Sequence, residues 1–427
     1  MNLIAFGLSH RTLPVRLREK AALSQAGARS LLRDLAASGA MSEAVALSTC
    51  NRTEVYACTA DPEHAEREVS RALVNHSRID ADELTSGRYL LRDDRAVTQL
   101  FRVACSLDSM VIGESEIQGQ VHGAWELAVA ERVTGPFLNR LFRQALEVGK
   151  EVRSCTRIGA GAVSISAVAV DLARQTLGDL ARRRVVVIGA GRVAEAATRS
   201  LVAKGAGEIV VANRTVRAAD ELAGRVGGRG VGLDDLPAEM RAADIVISST
   251  DAPGVVLEHE AVRRALEARP DRSSRPMVII DTSVPRDVDA AVGTLAGVTL
   301  FDIDDLARTA DANLNGRRAE AEVGEQHVLL AAERFAAWRR GRAADAVISS
   351  LRARAEDIRR AEVDRAERSP GWSPDDRERL DRLTTAIVNK LLHEPTVRLR
   401  AEAERGDGTC LAQCVRRLFD LPEPTVP

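Results

Sequence analysis

The chain contains 427 residues, a length typical of about three domains. Hydrophobic residues make up 45% of the chain and charged residues 29%, which excludes a disordered or fibrous protein. The 60 lysines and arginines are balanced by 62 acidic residues, so the chain lacks the basic excess of a non-specific nucleic-acid binder.

The sequence carries no sign of secretion, membrane insertion or metal binding. No segment approaches the ~18 apolar residues of a membrane span, and the amino terminus, MNLIAFGLSHRT, lacks the basic flank and cleavage site of a signal peptide. The six cysteines are scattered, which argues against a disulfide framework. Cys410 and Cys414 have no paired histidines nearby, so no zinc site is expected. We therefore predict a cytoplasmic protein with no metal and no membrane partner.

Residues 1–157 have the pattern of an α+β domain. Apolar alternation predicts strands, and a period of about 3.6 residues predicts helices. The predicted elements are strands over 2–8 and 43–58, helices over 16–37 and 63–77, and an almost continuous helical stretch over 93–152 with breaks near Gly113 and at Gly135-Pro136.

Residues 158–305 alternate between strand and helix patterns. A small-residue helix over 163–177 precedes VVVIGAGRVAEAATRSLVAKGAGEIVVANRT, which predicts a strand, a glycine turn, a helix and a second strand. Further strands are predicted over 243–250, 276–284 and 298–304. This alternation predicts a doubly wound, Rossmann-like parallel sheet with helices on both faces.

Residues 306–427 are predicted to be helical. The predicted elements are a long helix over 306–342, charged amphipathic helices over 346–368 and 373–392, the latter capped by Ser373 or Asp375, and a frayed end over the last 20 residues. Alternating charges indicate solvated faces, but the apolar stripe along these helices must be buried. A dimerisation element is therefore favoured over an isolated bundle. The stripe consists of Val347, Leu351, Ile358, Leu380, Leu383, Ile387 and Leu391.

The glycine turn, residues 189–191, is a variant of the dinucleotide fingerprint. Gly189-Ala190-Gly191 follows an apolar strand, and Ala194 takes the third glycine's place. The helix that begins near Arg192 offers N–H groups and a positive dipole end to a pyrophosphate. We predict nucleotide binding here, with a purely structural turn as the alternative.

The end of the next strand indicates which dinucleotide is bound. An NAD domain usually places an acidic residue there to accept from the ribose 2′-hydroxyl. This chain has Asn213-Arg214 instead, about 20 residues past the turn. Because an arginine pairs with a 2′-phosphate, NADP is favoured over NAD. The alternative is that Arg214 simply faces solvent.

Cys50 is a candidate nucleophile in the segment LSTCNRTEVY. It follows an apolar strand and is surrounded by hydrogen-bonding residues, which are Thr49, Asn51, Arg52 and Glu54. A nearby guanidinium would lower the pKa of the thiol and favour the thiolate. The alternative is a small buried apolar residue, which is our interpretation of the other cysteines before residue 160. A cysteine nucleophile beside a nicotinamide domain would permit formation of a thioester and its reduction to an aldehyde.

A third polar segment, SLDSMVIGESEIQGQV, spans residues 106–121. It carries the polar side chains Ser109, Glu114, Glu116, Gln118 and Gln120 around a glycine-containing break. Considered alone, this segment is more typical of a solvated helix start than of a site.

Together these segments resemble the glutamyl-tRNA reductase family over essentially the whole chain. The matching segments are GLSHRTLPVRLREK, STCNRTEVY, LDSMVIGESEIQGQV, VIGAGRVAE, ANRT, DTSVPRDV, LFDIDDL and VNKLLHEPTVRLR. The resemblance implies a catalytic domain over 1–157, an NADPH-binding domain over 158–305, and a spinal helix with a helical dimerisation domain over 306–427. It also implies a V-shaped homodimer whose long helix spans the three domains.

The resemblance implies a reaction and a role for each site residue. Cys50 would attack the aminoacyl ester of glutamyl-tRNA(Glu), releasing tRNA and leaving a thioester that NADPH reduces to glutamate-1-semialdehyde, the first step towards 5-aminolevulinate and tetrapyrroles. The residues implied to hold the glutamyl group are Thr49, Asn51, Arg52 (on its carboxylate), Ser109, Glu114, Ser115, Glu116 and Gln120. The residues implied to bind the cofactor are Gly189, Ala190, Gly191, Arg192, Val193, Ala194, Asn213 and Arg214. A glutamate-1-semialdehyde aminomutase is a further candidate partner.

The chain departs from the family pattern at three places. The resemblance implies a His that assists catalysis at the position where this chain has Gln99. The side-chain amide of Gln99 cannot exchange a proton near neutral pH. Ser106 stands where Gly is usual, and Ser115-Glu116 where Pro-Gln is usual. Unless it is paired or protonated, Glu116 should weaken the binding of a substrate carboxylate. The alternative hypothesis is therefore a diverged paralogue that binds tRNA or a partner with little turnover. A generic NADP oxidoreductase would leave STCNRTEVY and the helical tail unexplained.

Overall fold

The computed structural model describes residues 2–114, 116–156, 158, 165–269, 276–312, 318–368, 372–405 and 408–421. The chain divides into two compact units, Met1–Val328 and Leu329–Pro427. The first unit contains two β-sheets, and the second is built from helices. Neither of the predicted domain boundaries, near residues 157 and 305, coincides with this division at residues 328 and 329. Both boundaries stay predictions.

The first sheet is antiparallel and has the strand order β2-β3-β1-β4. Its strands are β1 (Asn2–Ser9), β2 (Glu43–Ser48), β3 (Arg52–Thr59) and β4 (Tyr89–Arg92). The helices in this part of the chain are α1 (Val15–Ala21), α2 (Gln25–Ala37), α3 (Pro62–His76), α4 (Ala81–Gly87), α5 (Asp94–Ala104), α6 (Glu116–Ala130) and α7 (Pro136–Cys155).

Two predicted elements of this part are each divided. The helix predicted over 16–37 is two helices, because Ser24 caps a new one by accepting a hydrogen bond from the Gly27 N–H at 3.1 Å. The strand predicted over 43–58 is interrupted at residues 49–51 by a tight turn, which carries Cys50. The predicted break near Gly113 is confirmed, and Gly113 itself lies at φ +89°.

The second sheet is parallel, with the order β10-β9-β8-β5-β6-β7. Its strands are β5 (Arg184–Ile188), β6 (Glu208–Asn213), β7 (Arg229–Gly232), β8 (Ile245–Ser248), β9 (Met277–Asp281) and β10 (Val298–Phe301). Its helices are α8 (Ile165–Leu177), α9 (Arg192–Ala203), α10 (Val216–Gly224), α11 (Leu236–Ala242), α12 (His259–Glu267) and α13 (Ile303–Ala312). The strand order reverses between β5 and β8, which is where such sheets bind their ligands.

Alternate side chains of β5 enter cores on opposite faces of this sheet. Val185 and Val187 pack with residues of α8 and α9, whereas Val186 and Ile188 pack with residues of α11 and α12. A strand covered on both faces is apolar at every position, which explains the run VVVI. The predicted doubly wound Rossmann-like sheet is confirmed.

The helical tail differs from its predicted divisions. α14 (Arg318–Glu367) continues through residues 342–346, where a break was predicted, and α15 (Pro374–Arg405) is longer than expected. The last residues are not frayed throughout, because α16 spans Gly408–Phe419. The predicted cap is confirmed, since the Ser373 hydroxyl accepts from the Asp376 N–H at 3.2 Å.

The predicted apolar stripe is only partly buried within one chain. Val347 and Leu351 are buried, but Leu383 and Leu391 are 60% and 69% exposed. Ile358 and Ile387 are exposed as well. The second unit therefore presents an apolar surface on its long helices.

None of the helices that the structure describes is long and apolar enough to cross a membrane. Within the same residues, no group of three or more His, Cys, Asp or Glu side chains is arranged to hold a metal ion.

Candidate active site

The Cys50 turn, residues 48–52, joins β2 to β3 and is organised by Thr49. The Thr49 hydroxyl accepts hydrogen bonds from the N–H groups of Asn51 at 3.1 Å and Arg52 at 3.2 Å. The Thr49 N–H in turn donates to the Arg52 carbonyl at 2.8 Å. Thr49 therefore shapes the backbone that presents Cys50, whose side chain is half-buried.

The guanidinium next to Cys50 belongs to Arg18 of α1 and not to Arg52. Arg18 is buried and donates from Nη1 to the Cys50 carbonyl at 2.8 Å and to Asn51 Oδ1 at 3.5 Å. Burial, followed by the charge of Glu114, nevertheless raises the pKa of the Cys50 thiol to about 12. The charge of Arg18 lowers this pKa, as expected of a neighbouring guanidinium, but burial outweighs the cation, so the expected thiolate is not favoured.

Arg52 is held in a buried network of charges. Its Nη1 donates to Glu54 Oε1 at 2.8 Å and to Asp108 Oδ2 at 2.9 Å, and Arg11 pairs with Asp108 Oδ1 at 2.7 Å. Burial raises the pKa of Asp108, but the charge of Arg52, the hydrogen bond from Gln99 and the charge of Arg11 together lower it by more, so the net shift of the pKa is downward. Two cations thus face two carboxylates, and the network is electrically balanced.

Gln99 of α5 occupies a place between the two carboxylates of this network. Its Nε2 donates to Asp108 Oδ2 at 2.9 Å and to Glu54 Oε1 at 3.2 Å. The same Glu54 also accepts from the hydroxyls of Tyr56, at 2.6 Å, and Tyr89. Gln99 therefore completes the hydrogen bonding of buried carboxylates, which is a structural contribution that requires no proton exchange.

Ser106 adopts a left-handed backbone, with φ +58°, where the family pattern has glycine. Its buried hydroxyl donates to the Ser109 hydroxyl at 3.0 Å and to the Val111 carbonyl at 3.5 Å. Local hydrogen bonds of this kind stabilise a conformation that a side chain otherwise disfavours. The substitution therefore orients Ser109, one of the predicted substrate residues.

A cavity of about 610 Å³ lies beside this segment. Ser109 and Met110 line it together with His10 and Arg11 from the chain just after β1. Burial, and then the charge of Arg52, lowers the pKa of His10 to about 4, so its imidazole is neutral near pH 7. Among the described residues, the ring nitrogen Nδ1 of His10 has no hydrogen-bond partner. The backbone N–H of His10 donates to the Asn51 carbonyl at 2.9 Å.

Two acidic residues flank the amino-terminal end of α6. Burial and the charge of Glu116 raise the pKa of Glu114 to about 7. Burial also raises the pKa of Glu116, and the charge of Arg192 opposes that shift. Burial thus disfavours the added charge of Glu116, and the cation of Arg192 offsets it. Gln120 follows Glu116 by one helical turn on the same face, and Ser115 lies outside the described residues.

The glycine turn has the geometry of a pyrophosphate cradle. Gly189 lies at φ +104°, and a Cβ there would stand 2.0 Å from the Ser249 carbonyl oxygen, so the turn requires glycine. A Cβ at Gly191 would meet open space, where a phosphate can approach the backbone. Ala194 is fully buried against the sheet. The first N–H groups of α9, at residues 192–194, have no partner within the helix, so these residues fit a nucleotide.

The residues predicted to read the adenosine ribose follow β6. The Gly189 N–H donates to the Ala212 carbonyl at 2.8 Å, which holds the end of β6 beside the glycine turn. Asn213 donates from Nδ2 to the Thr215 carbonyl at 3.2 Å, and Arg214 is exposed. No carboxylate in the described part of the chain pairs with Arg214.

The Cys50 turn and the glycine turn meet within the first unit. Cys50 and Ala190 both pack against one extended apolar cluster, which includes residues of α1, α8, α9, α13 and one face of the parallel sheet. Gly119 of α6 lies beside the Arg192 guanidinium, whose Nη1 would be 3.2 Å from a Cβ on that glycine. The structure therefore brings the predicted nucleophile and the predicted cofactor turn to one place.

Sequence reasoning missed three residues of this site, and it named a fourth, Glu54, only as a hydrogen-bonding neighbour of Cys50. Glu54, Asp108 and Arg18 are charged residues buried by contacts with other segments, and His10 faces the cavity. A signal was present for Glu54, which is a carboxylate within the apolar strand pattern of RTEVYACT. The other three stand in ordinary polar surroundings in the sequence.

Comparison with known proteins identifies the relatives of this chain. Residues 6–156 match the family described as the glutamyl-tRNAGlu reductase N-terminal domain, and residues 324–421 match its dimerisation domain. Residues 171–309 match the shikimate/quinate 5-dehydrogenase family. The glutamyl-tRNA reductase of Rubrobacter xylanophilus is 43% identical over 98% of this chain and 97% of its own length. The chain belongs to the glutamyl-tRNA reductase family.

Other members of the glutamyl-tRNA reductase family agree with this assignment. The enzyme of Pelobacter propionicus is 40% identical over 99% of this chain and 96% of its own length. The solved structure of glutamyl-tRNA reductase from Methanopyrus kandleri is 32% identical, covers 98% of this chain and 99% of its own, and has a TM-score of 0.51. The predicted family, fold class and oxidoreductase class are confirmed, with a nicotinamide nucleotide as the cofactor.

Proposed function

We propose that this chain reduces glutamyl-tRNA(Glu) to glutamate-1-semialdehyde, with release of tRNA, through a thioester on Cys50. The observation that carries the proposal is the packing of Cys50 and Ala190 of the glycine turn against one apolar cluster. A thioester formed at Cys50 would therefore lie close to a nucleotide bound at that turn. This reaction opens the tRNA-dependent route to tetrapyrroles.

The first step needs a base because the Cys50 thiol is protonated near neutral pH, its pKa being raised to about 12. Among the neighbouring charges, that of Glu114 raises this pKa most, and the pKa of Glu114 is about 7. Transfer of the thiol proton to Glu114 removes that opposing charge, and a base with this pKa suits operation near neutral pH. The thiolate then attacks the ester carbonyl, the protonated Glu114 gives its proton to the departing ribose oxygen, and the tRNA leaves with a free ribose hydroxyl.

The balanced charges around Arg52 suit the glutamyl group. An esterified glutamate carries one ammonium and one carboxylate, so it is a zwitterion without net charge. Arg11 and Arg52 attract its carboxylate, whereas Glu54 and Asp108 attract its ammonium. Arg52 Nε is buried and has no hydrogen-bond partner among the described residues, so it can still donate to a ligand. Thr49 and Asn51 order the turn, and Ser109 lines the adjoining cavity.

NADPH is the proposed cofactor. When bound, it would supply the hydride that converts the thioester carbonyl to an aldehyde, while the C–S bond breaks and the sulfur keeps the electron pair. The pyrophosphate would be held by the N–H groups of residues 192–194 beyond Gly191. Exposed Arg214, which pairs with no described carboxylate, would bind the 2′-phosphate. The released thiolate takes up a proton from solvent, which restores the Cys50 thiol.

The proposed assembly is a homodimer formed through the second unit. A groove of about 550 Å³ runs between α14, α15 and α16, lined by Ile358, Ile387 and Leu391. These exposed apolar residues and the match to a dimerisation domain support the proposal. Binding of a glutamate-1-semialdehyde aminomutase, and a cytoplasmic location, stay predictions.

Single-turnover incubation with glutamyl-tRNA and NADPH tests the proposed function. The wild-type chain is expected to release one semialdehyde per active site, and Cys50→Ser is expected to release none. The exposed Cys155 provides a matched control, and Cys155→Ser should keep full activity. Full activity in Cys50→Ser, or tRNA binding without product in the wild-type chain, would contradict the proposal.

The diverged-paralogue alternative depends on Gln99 and Glu116. Both residues have a structural account in the ligand-free chain, since Gln99 hydrogen bonds to two carboxylates and Glu116 lies near Arg192. A Gln99→His, Glu116→Gln variant separates the two hypotheses, because a large gain in turnover would favour the paralogue.

A further inference from the structure

Two ion pairs connect α1 with segments that follow strands of the parallel sheet. In one pair α1 supplies the cation, and in the other it supplies the anion. Arg18 pairs with Asp304 of α13, and the next residue, Glu19, pairs with Arg286 between β9 and β10. We propose that these two pairs fix the Cys50 turn against the nucleotide-binding sheet, and that this coupling serves reduction of the thioester and not its formation. The inference rests on the proposed function.

Arg18 links the Cys50 turn to the nucleotide-binding part through a single side chain. One guanidinium nitrogen, Nη1, donates to the Cys50 carbonyl at 2.8 Å and lies 3.9 Å from the Met110 sulfur. The other, Nη2, pairs with Asp304 Oδ1. Asp304 Oδ2 also accepts from the Val15 N–H, the first residue of α1, at 3.3 Å. Arg18 therefore connects the Cys50 backbone to α13 through Asp304.

The second pair holds α1 through Glu19, the residue after Arg18. Arg286 donates from Nε to Glu19 Oε1 at 2.6 Å and from Nη2 to Glu19 Oε2 at 3.1 Å, in the two-pronged geometry typical of strong arginine–carboxylate pairs. The Arg286 backbone N–H adds a third bond to Glu19 Oε1 at 2.9 Å. This contact fixes the direction as well as the distance of approach.

The opposite signs of neighbouring residues make the alignment specific. If α1 moved along the sheet so that Arg18 approached Arg286, or Glu19 approached Asp304, like charges would meet. The Arg18 side chain is only 3% exposed, so its charge depends on Asp304 for neutralisation. Arg18, Glu19, Arg286 and Asp304 are accordingly positioning residues, since they act on the Cys50 turn and not on the substrate.

The two chemical steps should respond differently to loss of these pairs. Formation of the thioester uses the Cys50 turn, Glu114 and the charges around Arg52, all from the part of the chain before α8. Reduction also requires the thioester carbonyl to meet a nucleotide held at the glycine turn, beyond β5. A misplacement of about 1 Å can lower the rate of such a step by about 100-fold.

The test uses three single variants, Asp304→Asn, Glu19→Gln and Arg286→Gln, and the charge exchange Glu19→Arg with Arg286→Glu. The matched control is Glu83→Gln, which removes the neighbouring pair of α1, Lys20–Glu83, made within the antiparallel part of the chain. Release of tRNA is measured without NADPH, and semialdehyde formation is measured with NADPH added to the acylated protein. Binding of NADPH and thermal unfolding are recorded for every variant.

The three single variants should release tRNA within about twofold of the wild-type rate, yet form semialdehyde about tenfold or more slowly, with NADPH affinity unchanged. The charge exchange should recover most of the lost rate, and Glu83→Gln should change neither step. Parallel loss of both steps, loss of neither, or failure of the exchange to recover the reduction would overturn the inference. Should a single variant fail to fold, the charge exchange decides alone, because it keeps both charges. If the wild-type chain itself releases no tRNA or forms no semialdehyde, the proposed function fails instead.

Discussion

The glycine turn and the Cys50 turn meet at one place but are built in different ways. The glycine turn consists of backbone and small side chains, and its shape is determined by Gly189 at φ +104° and by the open space at Gly191. The Cys50 turn is held by charged side chains, with Arg18 and Arg52 buried around it. The first binds through N–H groups that any sequence supplies, whereas the second depends on a balance of charges that one substitution can upset.

The largest effect is expected where the charge balance of the Cys50 turn is broken. Arg52→Gln leaves the buried carboxylates of Glu54 and Asp108 without their cation, which should lower the free energy of unfolding by about 3–5 kcal/mol. Denaturant unfolding measures this change. Arg33→Gln is the matched control, because Arg33 is 64% exposed and its pair with Glu131 should contribute less than about 1 kcal/mol. Equal losses in both variants would contradict the role given to the network.

The two glycines of the glycine turn should respond differently to the same change. Gly189→Ala forces a Cβ into a left-handed backbone and against the Ser249 carbonyl, so the free energy of unfolding should fall by about 1–3 kcal/mol. Gly191→Ala meets no protein atom and should change it by less than about 0.5 kcal/mol. Titration with NADPH should nonetheless reveal weaker binding in Gly191→Ala. Unchanged affinity there would remove the pyrophosphate from this turn.

A smaller effect, on cofactor choice, is expected at the end of β6. Arg214→Ala should raise the Kd for NADPH about tenfold, a free-energy change of about 1.4 kcal/mol, and leave the Kd for NADH nearly unchanged. Arg217→Ala is the control, because Arg217 is also exposed but pairs with Glu221 at 2.9 Å. Isothermal titration of both nucleotides checks the difference. Equal weakening for NADPH and NADH would contradict recognition of a 2′-phosphate by Arg214.

A further effect is a dependence of stability on pH at Glu114. Its pKa is raised from 4.5 to about 7 in the folded chain, chiefly by burial, so stability falls as the pH rises through that interval. Glu114→Gln removes this loss, and its Tm relative to the wild-type chain should therefore be higher at about pH 8 than at about pH 5. Glu126→Gln, at an exposed position of α6, should have a smaller pH-dependent difference. A difference of opposite sign would exclude the raised pKa.

The parts of the fold that depend on local patterns were predictable from the sequence. The run VVVI followed by the glycine turn predicted β5, α9 and their place in a parallel sheet, because a strand buried on both faces is apolar at each position. β7 escaped prediction because its four residues, RGVG, include two glycines. The predicted division of the tail at residues 342–346 was wrong, because α14 continues through them. These residues contain no helix breaker, and their pattern is compatible with either one helix or two.

The candidate site was predictable only where its residues stand close together in the sequence. Cys50, Arg52 and Gln99 could be chosen from their segments, but the Asp108 carboxylate that pairs with Arg52 comes from a distant segment. Arg18 and Asp304 are 286 positions apart, and neither position has a pattern that indicates the other. The pKa of Cys50 was predicted with the wrong sign because burial, which decides it, is a property of the folded chain.

The central claim is that Cys50 carries the glutamyl group, and acylation without reductant tests it most directly. The protein is mixed with glutamyl-tRNA labelled in its glutamyl group, with no NADPH present, then quenched in acid, digested and examined by mass spectrometry. We predict one glutamyl group per active site on the peptide that contains Cys50, released by hydroxylamine as expected for a thioester. An unlabelled Cys50 peptide in a protein that still forms semialdehyde when NADPH is supplied would contradict the account.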